Sequence, residues 1–495
     1  MKTQTHFPLQ MNSAADLRRV RDFLSAAAYD ESTLRRVLNL ENMSALGRVD
    51  WTRVEVQPAV LNWCVQVFAR GVATGMGVAR ELCGSEVLDA LLRTGLLQPA
   101  KKEPDSLVCP VWLYPVAEFV VASDRRDDPD GETFTPPTDV VFPAIYGGTL
   151  RFLQLLPETP GDALDLCGGS GIGALQLART ARVSVTADLA ERSAVFAEFN
   201  CRLNRCSAES LCGDLYAPVA GRQFDVISAH PPFVPATGEN MVYRDGGDSG
   251  EEVTRGVVAG LPAHLRAGGT CVILCVARDT AAKTFEQRVA EWLGESRDEF
   301  EVLFGLEKIL SVEEVVDSLR KRGQSVGPDQ VRQLLARLQS LETRQFVYGA
   351  LYIRRHAGKG GGKPLRVHLT PQGRAADFER LLAWREFCRQ PDCSAQLARS
   401  RPQPAAGMVL TARHLVQDGE LVPAEFVFSI EAGFAAALRP DAWVVPLLAR
   451  LNGRRTVQTV FSEAQQANEL PPEFTLEAFQ GLVQRMIELG LMNLL

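Results

Sequence analysis

The chain has 495 residues, a formal net charge of −7, 46% hydrophobic residues and 23% charged ones. That balance excludes wholesale disorder, and at roughly 100–200 residues per domain the length implies about three domains. The net negative charge argues against a protein that coats nucleic acid by bulk charge, although it leaves room for a local basic patch.

No stretch approaches the ~20 uninterrupted apolar residues of a membrane span. The opening MKTQTHFPLQMNSAADLRRV has no apolar core behind a basic end, so no secretory signal is expected. Eleven cysteines are scattered from Cys64 to Cys393 with no CxxC pair and no histidine cluster nearby. They read as reduced thiols of a cytoplasmic protein, with no metal site.

Residues 1–130 read as mostly helical. Ser13 heads a helix carrying Leu17, Val20, Phe23 and Leu24, and an apolar helix runs through Val60–Phe68. Val78–Leu82, the break Gly84-Ser85 and Val87–Leu92 form a helix–turn–helix pattern. VCPVWLYPVAEFVVAS (108–123) reads as a hairpin. Helices followed by a hairpin suggest a winged-helix-like module, a type that binds nucleic acid in some proteins and only other proteins in others. DRRDDPDGETFTPPT (124–138) is a linker or loop.

From 139 the character changes. Apolar runs at Ala163–Leu166, Val183–Ala187, Phe224–Ala229 and Thr270–Val276 alternate with helical stretches at Gly171–Arg179, Ser193–Leu203, Glu251–Leu265 and Thr284–Leu293. This alternation predicts an α/β fold with a parallel, doubly wound sheet. Phe300–Phe304 and Phe346–Ile353 read as two more strands, with amphipathic helices inserted over 307–345.

The run RRHAGKGGGKPLR (354–366) reads as a solvated linker at a boundary. Beyond it, helices at 378–387, 443–451, 457–466 and 476–489 surround the strand-like MVLTAR and FVFSI, with Thr475 as an N-cap. The division is therefore 1–130, 131–356 with its insertion, and 357–495, the last a small α+β, winged-helix-like domain.

The densest signal is ALDLCGGSGIGALQLAR (163–179), a buried strand, a glycine-rich turn and a helix start. Glycines let backbone turn and approach a ligand closely, and the helix N-terminus favours an anion. Gly169-x-Gly171-x-x-Ala174 alone also fits a dinucleotide pattern. Asp165 before the turn, Asp188 ending the next strand and Asp214 after the third move the reading to S-adenosylmethionine (SAM). The same set is completed by His230-Pro231-Pro232-Phe233 after the fourth strand.

In order and spacing these residues resemble class I SAM-dependent methyltransferases, and in particular the HemK-like branch, the glutamine methyltransferases of release factors and ribosomal protein. The resemblance covers roughly 139–305 and implies a Rossmann-like, seven-stranded core with SAM as cofactor. It implies that Cys167, Gly169, Ser170 and Gly171 lie against the methionine part of SAM, with Asp165 near its amino group. Asp188 would hold the ribose and Asp214 would sit beside the adenine, with their neighbours Leu189 and Leu215 also at the cofactor. Pro231 would offer its carbonyl to the acceptor, with Pro232 beside it and Phe233 walling the target group. Tyr243 and Arg244 either line the acceptor pocket or, for Arg244, pair with an acid. Phe142 and Tyr146 either cover the cofactor or serve packing.

Two departures stand out. Cys167 replaces a glycine, and His230 replaces the Asn or Asp of an Asn/Asp-Pro-Pro-Tyr/Phe motif. A neutral imidazole can accept one hydrogen bond and, at an unperturbed pKa near ~6.5, can remove a proton. His230 is thus expected to orient the nucleophile and take its proton. The acceptor is a protein, peptide or small metabolite. Alternatives are a nucleic acid gripped by the flanking modules, or a SAM-binding interaction protein without catalysis. The oligomeric state is not legible.

Overall fold

The computed structural model describes residues 7–11, 13–236, 241–321, 327–358 and 360–494. It forms two compact units, Met1–Arg297 with Leu310–Phe346, and Asp298–Ile309 with Val347–Leu495.

In the first unit five strands lie parallel: β1 (Asp162–Leu166), β2 (Val183–Asp188), β3 (Ala208–Cys212), β4 (Phe224–Ala229) and β5 (Leu265–Thr280). Their order is β3-β2-β1-β4-β5. β1, β2 and β4 are almost wholly buried runs, as strands covered on both faces must be. Register aligns Leu166 with Ala187 on one side and Ala229 on the other, and Asp188 with Cys212. The carboxyl ends therefore share one edge, and the chain reverses direction across the sheet between β1 and β4. A ligand crevice opens at such a switch point.

The helices α1 (Gly147–Gln154), α2 (Ile172–Leu177), α3 (Glu191–Leu203), α4 (Glu252–His264) and α5 (Phe285–Trp292) alternate with these strands. The inserted α6 (Val312–Lys321) and α7 (Pro328–Ser340) bury Val316, Val331, Leu334 and Leu338 with Phe346, and Val234 and Val276 pack against that cluster.

The N-terminal residues belong to the same compact unit as this sheet. Ser13 caps Ala14–Ala26 as its position predicts, accepting from the Asp16 amide. Helices Met76–Cys83 and Ser85–Arg93 flank Gly84, and Val111–Val116 pairs with Phe119–Asp124 as a hairpin. That hairpin is tied to α3. The fully buried Asn200 accepts from Ala122 N at 2.7 Å and donates to Ala122 O at 2.9 Å.

The strands Phe300–Leu310 and Thr343–Arg355, which the sequence reading assigned to the same core, are hydrogen-bonded neighbours of each other and fall largely in the second unit. There Leu365–Leu369 pairs in parallel with Phe300–Leu310, and Phe434–Leu438 and the hairpin Val409–Gln417/Glu420–Ile430 extend the sheet. Among the described residues five α-helices, one of them Leu476–Glu488 capped by Thr475, complete the unit.

The run 354–366 is not the free linker its composition suggests. His356 N donates to Glu299 O, the Gly360 and Gly361 amides donate to Asp298 O, and Gly362 N reaches the buried Glu301 carboxylate at 3.2 Å. Arg385 meets the same carboxylate at 2.5 Å. Lys359 lies outside the described residues.

All eleven cysteines are free thiols, six of them buried (Cys64, Cys83, Cys109, Cys201, Cys271 and Cys275). Among the described residues no helix is long and apolar enough to cross a membrane.

Candidate active site

A cavity of about 930 Å³ opens at the switch point. All of the expected site residues line it except Gly171, which forms the turn behind it. The volume lies in the range of small-molecule sites.

The glycine turn is fixed from several directions. Gly171 has φ +77°, and a Cβ there would sit 2.9 Å from the Ala197 backbone of α3. Gly168, which the motif reading passed over, is as constrained: a Cβ would sit 1.9 Å from Thr186 Oγ1. Gly169 faces open space, so this stretch of backbone can approach a ligand. Cys167 has φ +56°, a left-handed conformation that glycine adopts without strain. A cysteine in place of glycine here therefore strains the turn.

Asp188 accepts from the Gly169 amide at 2.9 Å and the Ala190 amide at 2.9 Å. It links the end of β2 to the turn, and burial raises its pKa against these hydrogen bonds. Ser193 also hydrogen-bonds to this carboxylate, and its remaining acceptor capacity suits a ribose hydroxyl. Beside it Leu189 is 59% exposed, an apolar surface suited to a flat ring. Asp214 is exposed on the same wall.

Asp165 lies at the floor. Ser228 donates to it at 2.6 Å, and burial, offset in part by the Ser228 and Ala174 hydrogen bonds, pushes its pKa up to about 7. The residue carries a proton for part of the time near neutrality.

Elsewhere on the cavity lining His230 directly follows β4. Its ring stacks on Phe152 with centroids 5.4 Å apart, and Phe233 stands 6.2 Å away. Gly148 at the start of α1 leaves space beside the ring, since a Cβ there would come 3.5 Å from Cε1. Burial pushes the imidazole pKa down to about 4. The ring is neutral at physiological pH through its apolar surroundings, and among the described residues neither nitrogen has a hydrogen-bond partner. The Pro231 carbonyl likewise accepts no hydrogen bond among the described residues.

The segment after the motif folds back on it. Val234 N donates to Arg244 O at 3.0 Å, and Gly246 N to Val234 O at 2.9 Å. Arg244 pairs with Asp245 at 2.6 Å while both line the cavity, so the two readings of Arg244 hold together. Tyr243 stacks on Phe142, 5.0 Å between centroids and 10° between planes. Arg337 of α7 donates to Asp248 O at 3.2 Å and Ala236 O at 3.4 Å, bracing both ends of this loop. Residues 237–240 between them lie outside the described residues.

The motif reading missed the supports. Asn200 donates to the Ser170 carbonyl at 2.9 Å, so one amide ties the N-terminal hairpin to the glycine turn. Asp124, at the end of that hairpin, accepts from Val141 N at 2.8 Å and Arg192 Nε at 2.7 Å, and Tyr114 accepts from Ala144 N at 2.7 Å. These bonds set the cavity wall that carries Phe142 and Tyr146. Arg126 and Asp139 on that wall were also missed. An asparagine on the apolar face of α3 was the one sequence signal for any of them.

Residues 144–297 match the family described as "Methyltransferase small domain". The release factor glutamine methyltransferase of Deinococcus radiodurans is 32% identical over 143 residues, 26% of this chain and 51% of that protein. The chain thus spans about half the length of the curated relative it matches. Among solved structures, a ribosomal protein methylase from Lactobacillus delbrueckii subsp. bulgaricus is similar at 16% identity over 42% of this chain and 77% of that one, with a TM-score of 0.24. A 16S rRNA methyltransferase of T. thermophilus is similar at 14% identity over 58% and 64%, with a TM-score of 0.27.

The cavity is lined largely by residues of 144–297, the part of the chain that matches the methyltransferase family. S-adenosyl-L-methionine is the cofactor, and the residues present fit it: a turn open at Gly169, a carboxylate at Asp188 on the cavity wall, and an exposed leucine beside it.

Proposed function

We propose that the protein is a SAM-dependent methyltransferase that moves a methyl group to a nitrogen or oxygen nucleophile of a protein, peptide or small metabolite. One observation carries the reading. The glycine turn with Asp188 and Asp214 forms one wall of the cavity, and His230-Pro231-Pro232-Phe233 forms another. When bound, SAM supplies an electrophilic methyl group on a sulfonium.

The protein's part is positioning, which for a displacement in line at about 3–3.5 Å provides most of the gain. Gly169 and Asp188 hold the cofactor. For an NH2 acceptor the Pro231 carbonyl accepts one hydrogen and the neutral His230 imidazole the other, and for a hydroxyl, with its single hydrogen, the imidazole alone accepts it; either way a lone pair turns towards the methyl. Phe233 walls the acceptor.

With a pKa of about 4 the imidazole is a poor store for a proton at neutral pH, so His230 orients the nucleophile and the released proton passes to solvent. Asp165 ionises more readily beside a cation, so SAM binding and proton release from Asp165 are linked. The carboxylates of the cavity disfavour a polyanionic acceptor, and a curated relative that methylates a release factor glutamine supports a protein side chain.

The test is calorimetry with SAM, followed by transfer of labelled methyl groups to fractions of a cell extract. Binding with label on protein or small-molecule fractions supports the reading. Binding without transfer to any fraction identifies an interaction protein instead, and no binding refutes it.

A further inference from the structure

Two arginines line the cavity, and they are in different states. Arg244 is neutralised by Asp245. Arg126 is exposed, and its contacts are the faces of two rings, Tyr146 at 4.7 Å and Phe142 at 5.8 Å. Among the described residues it has no carboxylate partner, although its neighbour Arg125 pairs with Asp127 at 3.0 Å. Aromatic faces hold a guanidinium flat but occupy none of its five N–H donors. Those donors remain in a fork suited to a carboxylate or phosphate.

The rings are themselves fixed. Phe142 stacks on Tyr243, and the segment bearing Phe142 and Tyr146 is bonded to the N-terminal hairpin through Asp124 and Tyr114. The cavity otherwise presents carboxylates, Asp188 and Asp214 among them, which suit a cationic cofactor. A bare guanidinium in the same cavity would repel that cofactor unless it answers a negative group.

We propose that Arg126 is the oxyanion receptor of this cavity, held by Tyr146 and Phe142 to take a carboxylate or phosphate oxygen pair. The inference rests on the SAM-site reading. Two sources supply the same chemistry, the α-carboxylate of SAM and an anionic group on the acceptor.

Three probes separate the sources in wild type, Arg126→Gln and Arg126→Lys. They are S-adenosylhomocysteine, 5′-methylthioadenosine, which lacks the amino-acid end, and inorganic phosphate added with and without S-adenosylhomocysteine. A charge-assisted pair predicts a loss of about tenfold or more in Arg126→Gln, with partial recovery in Arg126→Lys. Loss for S-adenosylhomocysteine with methylthioadenosine unchanged supports the proposal with the cofactor as source. Unchanged nucleoside binding with lost phosphate binding supports it with the acceptor as source. If Arg126→Gln matches wild type against all three probes, the proposal is overturned. Failure of wild type to bind either nucleoside refutes the SAM-site reading instead, and the phosphate arm still decides on Arg126.

Discussion

The two walls of the cavity are built differently. The cofactor wall is made of backbone. Turn amides, the Asp188 carboxylate and the Ser170 carbonyl are joined by short hydrogen bonds to β2 and α3. The acceptor wall is made of side chains just after β4, facing a loop that folds back and is braced by a half-buried arginine of an inserted helix. A wall of backbone geometry suits a ligand that never changes. A wall of side chains at a strand end and on the loop after it lets the acceptor vary while the donor stays the same. Changes on the acceptor wall should therefore lower transfer and spare SAM affinity, and changes on the cofactor wall should do the reverse.

The largest expected effect is at His230. His230→Ala should cut methyl transfer by about 100-fold, as misplacement of a nucleophile does, with SAM affinity within twofold by calorimetry. His230→Asn, which restores the amide of the resembled motif, should recover part of the rate. Because the wild-type imidazole is already neutral, the rate should show no His230 titration between about pH 6 and 8 and should fall only towards its pKa of about 4. The same shift makes a stability claim. A buried neutral histidine favours the folded state above its unfolded pKa of ~6.5, and that contribution is lost as pH falls towards about 4.

On the cofactor wall, Asp188→Ala should weaken SAM binding by tenfold or more, since charge-assisted hydrogen bonds are lost (about 1.5–3 kcal/mol each). Equal affinity would remove the ribose assignment. Asn200→Ala leaves the Ala122 amide and carbonyl and the Ser170 carbonyl without partners, so thermal or denaturant unfolding should show a loss of about 2–3 kcal/mol. SAM affinity should fall with it, since the glycine turn loses its tie; a loss of stability with affinity intact would separate the hairpin from the site. The smallest effect is Cys167→Gly. Relief of the left-handed strain, less the entropy that glycine costs, predicts a gain of about 0.5–1 kcal/mol.

The sheet was legible because buried parallel strands read as continuous apolar runs, and Phe224–Ala229 and the helices between strands stand within a few residues of their expected places. The glycine turn was legible because its residues are contiguous. What escaped depends on partners far apart in the chain: Asn200 with Ala122, Asp124 with Arg192, and Arg337 with Asp248. The basic run 354–366 misled for the same reason, because Asp298, Glu299 and Glu301, which hold it, come more than fifty residues earlier. The strain at Cys167 is a dihedral, which no composition reveals.

The central claim is that SAM lies at the switch point with its methyl-bearing sulfur before His230. A crystal structure of the complex with S-adenosylhomocysteine tests it directly. The account predicts ribose hydroxyls on Asp188, the methionine end along Gly169 and the sulfur facing the His230 ring across an open acceptor space. A nucleoside bound elsewhere, or an imidazole turned away from the sulfur, would contradict it.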